Sequence, residues 1–246
     1  LVSKAGDKLM IKHKLQQQII PADEPGFTII ESLVAIVVVA ILLAAIAPAI
    51  VISTATRVQS RRVELATQAT KTFIDGVRTG AITAPSIIIA RDSANATTTR
   101  NVSNSTQAAA YLISSTEMPV PQASDTNLYC FKKDGTITIT STTNCRDKPF
   151  EQFYIQAAQV KVTGSSVNDG YRLAIRVYRT DIDFSKTITA NTGNSNDDKK
   201  IQKTFTGGLG DSQAPLIEMT TDIGNSNTTF QALCRRLGIA TNQTCQ

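Results

Sequence analysis

The chain contains no tryptophan, a single histidine and only 5% aromatic residues. One imidazole, His13, is too few for a catalytic triad or a histidine-based metal centre. There is no glycine-rich phosphate loop and no dinucleotide fingerprint, so the common nucleotide-dependent chemistries lack their cradles. Cysteine is scarce as well: Cys130, Cys145, Cys234 and Cys245 are the whole set, and none forms a CxxC pair. That spacing argues against a zinc site and against a thioredoxin-like motif. Two disulfides in an oxidising compartment are the natural reading, with four buried free thiols as the alternative. Of the three connectivities that four cysteines allow, the sequence-local one is favoured, Cys130 to Cys145 and Cys234 to Cys245. The formal charge of +5 is spread over scattered pairs such as Arg61-Arg62 and Lys132-Lys133. No stacking aromatics are interleaved with them, so a dedicated nucleic-acid patch is not expected.

What the chain does have is one concentrated apolar block. From Phe27 to Ile52 there are 26 positions, of which 16 are Phe, Ile, Leu or Val and six are Ala; only Thr28, Glu31, Ser32 and Pro48 differ. The charge-free run from Ser32 to Thr56 would rise about 37 Å as a helix, enough to cross a hydrocarbon core of about 30 Å. Its apolar residues outweigh the insertion cost of the single acid, roughly +3.5 kcal/mol at most. The remainder is polar and rich in Thr, Ser and Asn, which suits one compact domain better than two.

The best processing signal lies ahead of the apolar block, whereas a secretory signal peptide would carry it behind a shorter apolar core. Residues 1 to 26 include Lys4, Lys8, Lys12 and Lys14 and end in Pro25-Gly26, directly before Phe27. The lysines favour a cytoplasmic leader, although Arg57, Arg61 and Arg62 beyond the block blunt that bias. The string Gly26-Phe27-Thr28-Ile29-Ile30-Glu31-Ser32-Leu33 resembles the processing and assembly motif of type IV pilins and type II secretion pseudopilins. The resemblance implies a prepilin peptidase that cuts after Gly26 and methylates Phe27, and it makes Glu31 the fifth residue of the mature chain. His13 would leave with the leader. The family's stem helix commonly kinks at a proline, and Pro48 stands where that kink would be.

An ionisable side chain within a spanning helix is costly and usually functional. Near the helix N-terminus the macrodipole favours a carboxylate. In a filament, the N-terminal amine of a neighbouring Phe27 would neutralise Glu31 and fix the axial register. Pro48 lacks an amide hydrogen and would bend or locally melt the stem.

Beyond Ile52 an amphipathic seam of Val58, Leu65, Ala69, Phe73 and Val77 continues the helix, with Gly76 and Gly80 as stop signals. A helix from Phe27 to Thr79 would reach about 80 Å. Ser93 to Thr106 reads as an exposed loop. Leu128 to Lys133 and Thr136 to Thr142 flank Asp134-Gly135, a hairpin signal that sets Cys130 opposite Ile139. Phe153 to Val162 and Tyr171 to Tyr178 form a second hairpin. In it Leu173, Ile175 and Val177 make a buried face, and Arg172, Ala174 and Arg176 a mostly wet one. Thr187 to Gly210 reads as a surface loop with a short strand around Ile201 to Phe205. Asp181 and Asp183 could touch a cation but lack supporting ligands. The expected fold is α+β and pilin-like, a long helix packed on an antiparallel sheet. Its divisions are a leader (1–26), a membrane and assembly helix (27–52), an amphipathic continuation (53–80) and an exported head (81–246).

With no nucleophile and base in evidence, no enzyme activity, cofactor or metal is expected, and a membrane-anchored hydrolase is the weakest of the readings. A pseudopilin, a major pilin and a minor pilin for adhesion or DNA uptake remain. Glu31 to Val39 and Arg61 to Ala66 resemble cyanobacterial pseudopilins linked to hormogonium polysaccharide secretion. This implies a role in sugar-polymer export and gliding motility. The partners implied are a prepilin peptidase, other pilin or pseudopilin subunits, an inner-membrane assembly platform and membrane lipid. The protein would be a single-pass inner-membrane protein with its head exported.

Overall fold

The computed structural model describes residues 26, 28–91, 115, 117–140, 145, 153–191, 200–202 and 210–237. The chain divides into two compact units, Leu1–Pro48 and Ala49–Gln246. Helix α1, Ile29–Thr79, contributes to both. Its end is a matter of backbone geometry: Gly80 adopts φ of 75°, the left-handed conformation that terminates helices and that glycine reaches without penalty. Gly76, expected as a stop, instead lies inside the helix. A Cβ there would stand 2.4 Å from the Ile82 side chain, so the residue permits the chain to fold back closely after the turn.

Within the second unit, strands β1 (Ile88–Arg91), β2 (Leu128–Phe131), β3 (Ile137–Thr140), β4 (Phe153–Val162), β5 (Tyr171–Arg179) and β6 (Ile217–Ile223) make one sheet. The order is β3-β2-β4-β5-β6, antiparallel throughout, and β1 joins the far half of β4 in parallel. A short 3-10 helix (Val167–Asp169) lies between β4 and β5, and helix α2 (Phe230–Leu237) follows β6. The α+β layout read from the sequence is the one observed.

The outer half of α1 covers one face of the sheet. Ala66, Ala69, Phe73, Ile74 and Val77 pack on Tyr129, Ile155, Ala157, Leu173, Ile175 and Val177. The Phe73 and Tyr129 rings meet edge to face with centroids 4.7 Å apart. The seam differs from the expected one. Val58 and Leu65 are exposed, and the buried line runs through Gln59, Ala66, Ala69, Phe73 and Val77. Two alanines let the helix approach the sheet, and Gln59 is accepted in the interior because its amide donates to Gln202 Oε1 at 2.8 Å.

Three further expectations are corrected. The first hairpin does not close in a two-residue turn. Lys132 N–H donates to the Thr136 carbonyl and Gly135 N–H to the Lys132 carbonyl, each at 2.9 Å, and Gly135 sits at φ of 82°. This is a three-residue loop with a left-handed glycine. It shifts the register by one, so Cys130 faces Thr138 rather than Ile139. Asp134 holds the loop by accepting from the Thr136 N–H at 2.9 Å and hydroxyl at 2.6 Å. These bonds, the hydroxyl's first, keep its carboxyl below the usual carboxylate range.

The face of β5 expected to be wet is buried. Arg176 and Ala174 are fully covered, because Met118 and Ile89 close over Ala158 and Ala174, and Leu128, Cys130, Tyr154, Tyr178 and Ile188 build a neighbouring cluster. The Thr187 to Gly210 region is not simply surface. Ile188, Ala190, Asn191 and Gln202 are buried, and Thr189 and Gln202 N–H groups donate to the Gln213 and Pro215 carbonyls. Ile201 and Gln202 are not in a strand. The expected loop at Ser93 to Thr106 lies outside the described residues.

Candidate processing and assembly segment

Gly26, the residue before the expected cut, is exposed and outside regular structure, whereas Phe27 lies outside the described residues. Thr28 starts the helix. Its Oγ1 accepts the Glu31 N–H at 3.2 Å, which satisfies one of the amide hydrogens that the first turn leaves without a partner. Ser32 Oγ donates back to the Thr28 carbonyl at 3.3 Å. Thr-x-x-Glu ahead of an apolar run is the pattern of a capping box, a signal overlooked in the sequence reading. Glu31 thereby sits in the first turn, where the positive end of the helix dipole favours its charge.

From Ile29 through Ile52 the large apolar side chains are exposed: Ile29 is 89% accessible and Leu43 63%. The helix is long and apolar enough to cross a membrane, and no part of its most apolar stretch is buried within the protein. A soluble protein would not leave so large an apolar surface bare. Two threonines just past this stretch are satisfied locally. Thr54 Oγ1 donates to the Ile50 and Val51 carbonyls at 3.0 and 2.9 Å, and Thr56 Oγ1 to Ile52 at 2.8 Å. Such bonds remove the cost of bare hydroxyls in lipid. Pro48 lies inside α1.

Cys130 and Cys145 are joined by a disulfide, as expected, with Cα atoms 5.7 Å apart. Cys234, on α2, is also disulfide-bonded, and its expected partner Cys245 lies outside the described residues. Asp181 and Asp183 do not converge. Asp181 pairs with Arg179, while Asp183 accepts from the Ser185 N–H and hydroxyl at 3.0 and 2.7 Å. Among the described residues no cluster of His, Cys, Asp or Glu could hold a metal ion.

Residues 23–47 match the family model described as the prokaryotic N-terminal methylation motif. The match supports a type IV pilin-like protein. A motif of this kind implies processing by a prepilin peptidase and assembly into pilin filaments, and it points to a structural subunit rather than an enzyme. Together with the apolar helix it fits membrane anchoring. No curated protein and no solved structure matches the chain.

Proposed function

We propose that the chain is a pseudopilin, or minor-pilin-like subunit, cut between Gly26 and Phe27 and assembled through its stem into an envelope-spanning filament for polysaccharide secretion and surface motility. The observation that supports this most is the bare apolar length of α1 bearing one carboxylate, Glu31, in its capped first turn. In the bilayer that length is solvated by lipid. In a filament it must be covered by other stems, and the carboxylate then needs a cation, which a neighbour's new N-terminal amine supplies. The disulfide-bonded head is exported, and the platform that extracts subunits lies in the inner membrane. Sugar-polymer export and motility rest on the resemblance of Glu31 to Val39 and Arg61 to Ala66 to hormogonium polysaccharide pseudopilins.

Two measurements test the reading at its two levels. Mass spectrometry of the membrane-extracted protein should find an N-terminal methyl-Phe27 peptide, and an intact leader in cells with active prepilin peptidase rejects the prepilin assignment. Deletion of the gene should lower exported polysaccharide and gliding while surface pili persist. Loss of pili with polysaccharide output unchanged makes the protein a major pilin.

A further inference from the structure

The cluster Arg57, Arg61 and Arg62 runs against the charge bias that orients the anchor, and filament assembly gives it no task. Arg57 follows the charge-free run immediately, and Arg61 stands one helical turn further, about 6 Å along the axis. Both are exposed, and neither makes a hydrogen bond or ion pair among the described residues. Arg62, half-buried, lies near Arg179 and Asp181, and burial followed by the Arg179 charge lowers its pKa. The structure around this point is continuous. Gln59, between these arginines, holds Gln202; Gln202 Nε2 donates to the Ala214 carbonyl at 2.8 Å; and Gln213 bonds Asp183 through both its amide atoms at 2.9 and 2.7 Å. Lys186 stands 3.5 Å from Asp183 with most of its surface free. Arg57 and Arg61 thus stand bare on the two sides of Gln59, the residue that ties the helix to the 183–191 and 211–216 segments.

We infer that this basic collar seats the unassembled subunit's head on anionic phospholipid headgroups at the surface where the stem leaves the bilayer. The inference rests on the reading that Ser32 to Thr56 spans the membrane. The interfacial layer is about 5–8 Å deep on each side, and the Debye length is about 8 Å at physiological salt, so Arg57 and Arg61 both fall within reach of headgroup phosphates. Each basic side chain near such a surface changes a docking equilibrium about fivefold, so the pair is worth about twenty-fivefold. Docking would hold the head close to the membrane until the stem is withdrawn into a filament, where the collar leaves the lipid.

The test uses the full mature chain in nanodiscs of neutral phosphatidylcholine, with and without about one-third phosphatidylglycerol, and reads amide hydrogen exchange in segments 183–191 and 211–216. Exchange should slow in the anionic discs and recover at high salt. The Arg57→Gln/Arg61→Gln variant should lose the slowing, and Arg57→Lys/Arg61→Lys should keep it. Equal exchange in both lipids, or a glutamine variant indistinguishable from wild type in anionic discs, overturns the inference. Slowing by inorganic phosphate in neutral discs would make the surface a small-anion site and also overturn it. Alkaline carbonate washing is the separate control: release of the protein from the bilayer rejects the spanning reading itself.

Discussion

At the scale of single residues, Glu31 is where position and chemistry most nearly prescribe a role. It occupies the first turn that Thr28 caps, and it is the only acid in a run of 26 residues. Replacing it with valine removes the charge and adds apolar surface, so Glu31→Val should insert into the membrane at least as well as wild type. It should be strongly depleted from sheared filaments. Fractionation and shearing assays separate these outcomes, and undiminished incorporation would deprive Glu31 of a register role. Two buried tyrosines make the stability of the head depend on alkaline pH. Burial, aided by the neighbouring Tyr171, pushes the Tyr129 phenol from 10.0 up to about 12, and burial raises Tyr178 further. Tyr129 also donates to the Thr83 carbonyl at 3.1 Å. Both phenols stay protonated in the fold while those of the unfolded chain begin to ionise near 10. The stability they carry is therefore complete below about pH 10 and declines as pH rises toward 12. Thermal melts across that window should fall in midpoint with increasing pH. A phenolate absorbance that grows before the head unfolds would show instead that these tyrosines are open to solvent.

At the scale of elements, β5 shows what alternation can and cannot reveal. Leu173, Ile175 and Val177 announce an apolar face, and they do pack beneath α1. Arg172 and Arg176 read as solvent-facing because nothing local says that another segment will lie over them. Arg176 is fully buried, its Nε 2.8 Å from Glu218 on β6 and its Nη1 donating to the Met118 carbonyl. Glu218→Gln removes a charged partner of that guanidinium in a desolvated site and should destabilise the head by about 3 kcal/mol. Chemical denaturation can measure this, and a change below about 1 kcal/mol would place the pair in the class of weak surface bridges. The same limit explains the other departures. The stem, the second hairpin and the end of α1 at Gly80 were legible because periodicity, turn residues and a left-handed glycine act locally. The burial of Ile188 and Gln202, the choice of Gln59 over Val58 on the helix seam and the one-residue shift at Gly135 depend on partners remote in sequence or on loop closure. The motif over residues 23–47 was legible because its pattern is contiguous, and so was the Cys130–Cys145 bridge. The cap at Thr28 went unread, although Thr28 and Glu31 already spelled it.

At the scale of the whole molecule, the cysteines report which side of the membrane the head occupies. A bridge between Cys130 and Cys145, separated by 15 residues, restricts the unfolded chain enough to stabilise the head by about 3 kcal/mol. That contribution exists only where disulfides persist, which in most cells means beyond the cytoplasm. The lysines of the proposed leader argue for the same proposed orientation by an independent route, through charge bias at the bilayer. Arg57, Arg61 and Arg62 weaken that second argument, so the redox state is the better witness. Alkylation of intact cells followed by a non-reduced peptide map should leave Cys130, Cys145 and Cys234 unlabelled until reductant is added. The 130–145 linkage should be recovered as a crosslinked peptide. Reduced Cys130 and Cys145 in the native membrane would mean that the head faces a reducing compartment, and the proposed orientation, with export of the filament, would fall with it. If the thiols are oxidised, Cys130→Ala/Cys145→Ala should lower head stability by about 3 kcal/mol while leaving cleavage at Gly26 intact. The leader and stem signals lie in the Leu1–Pro48 unit, and the bridge lies in the other.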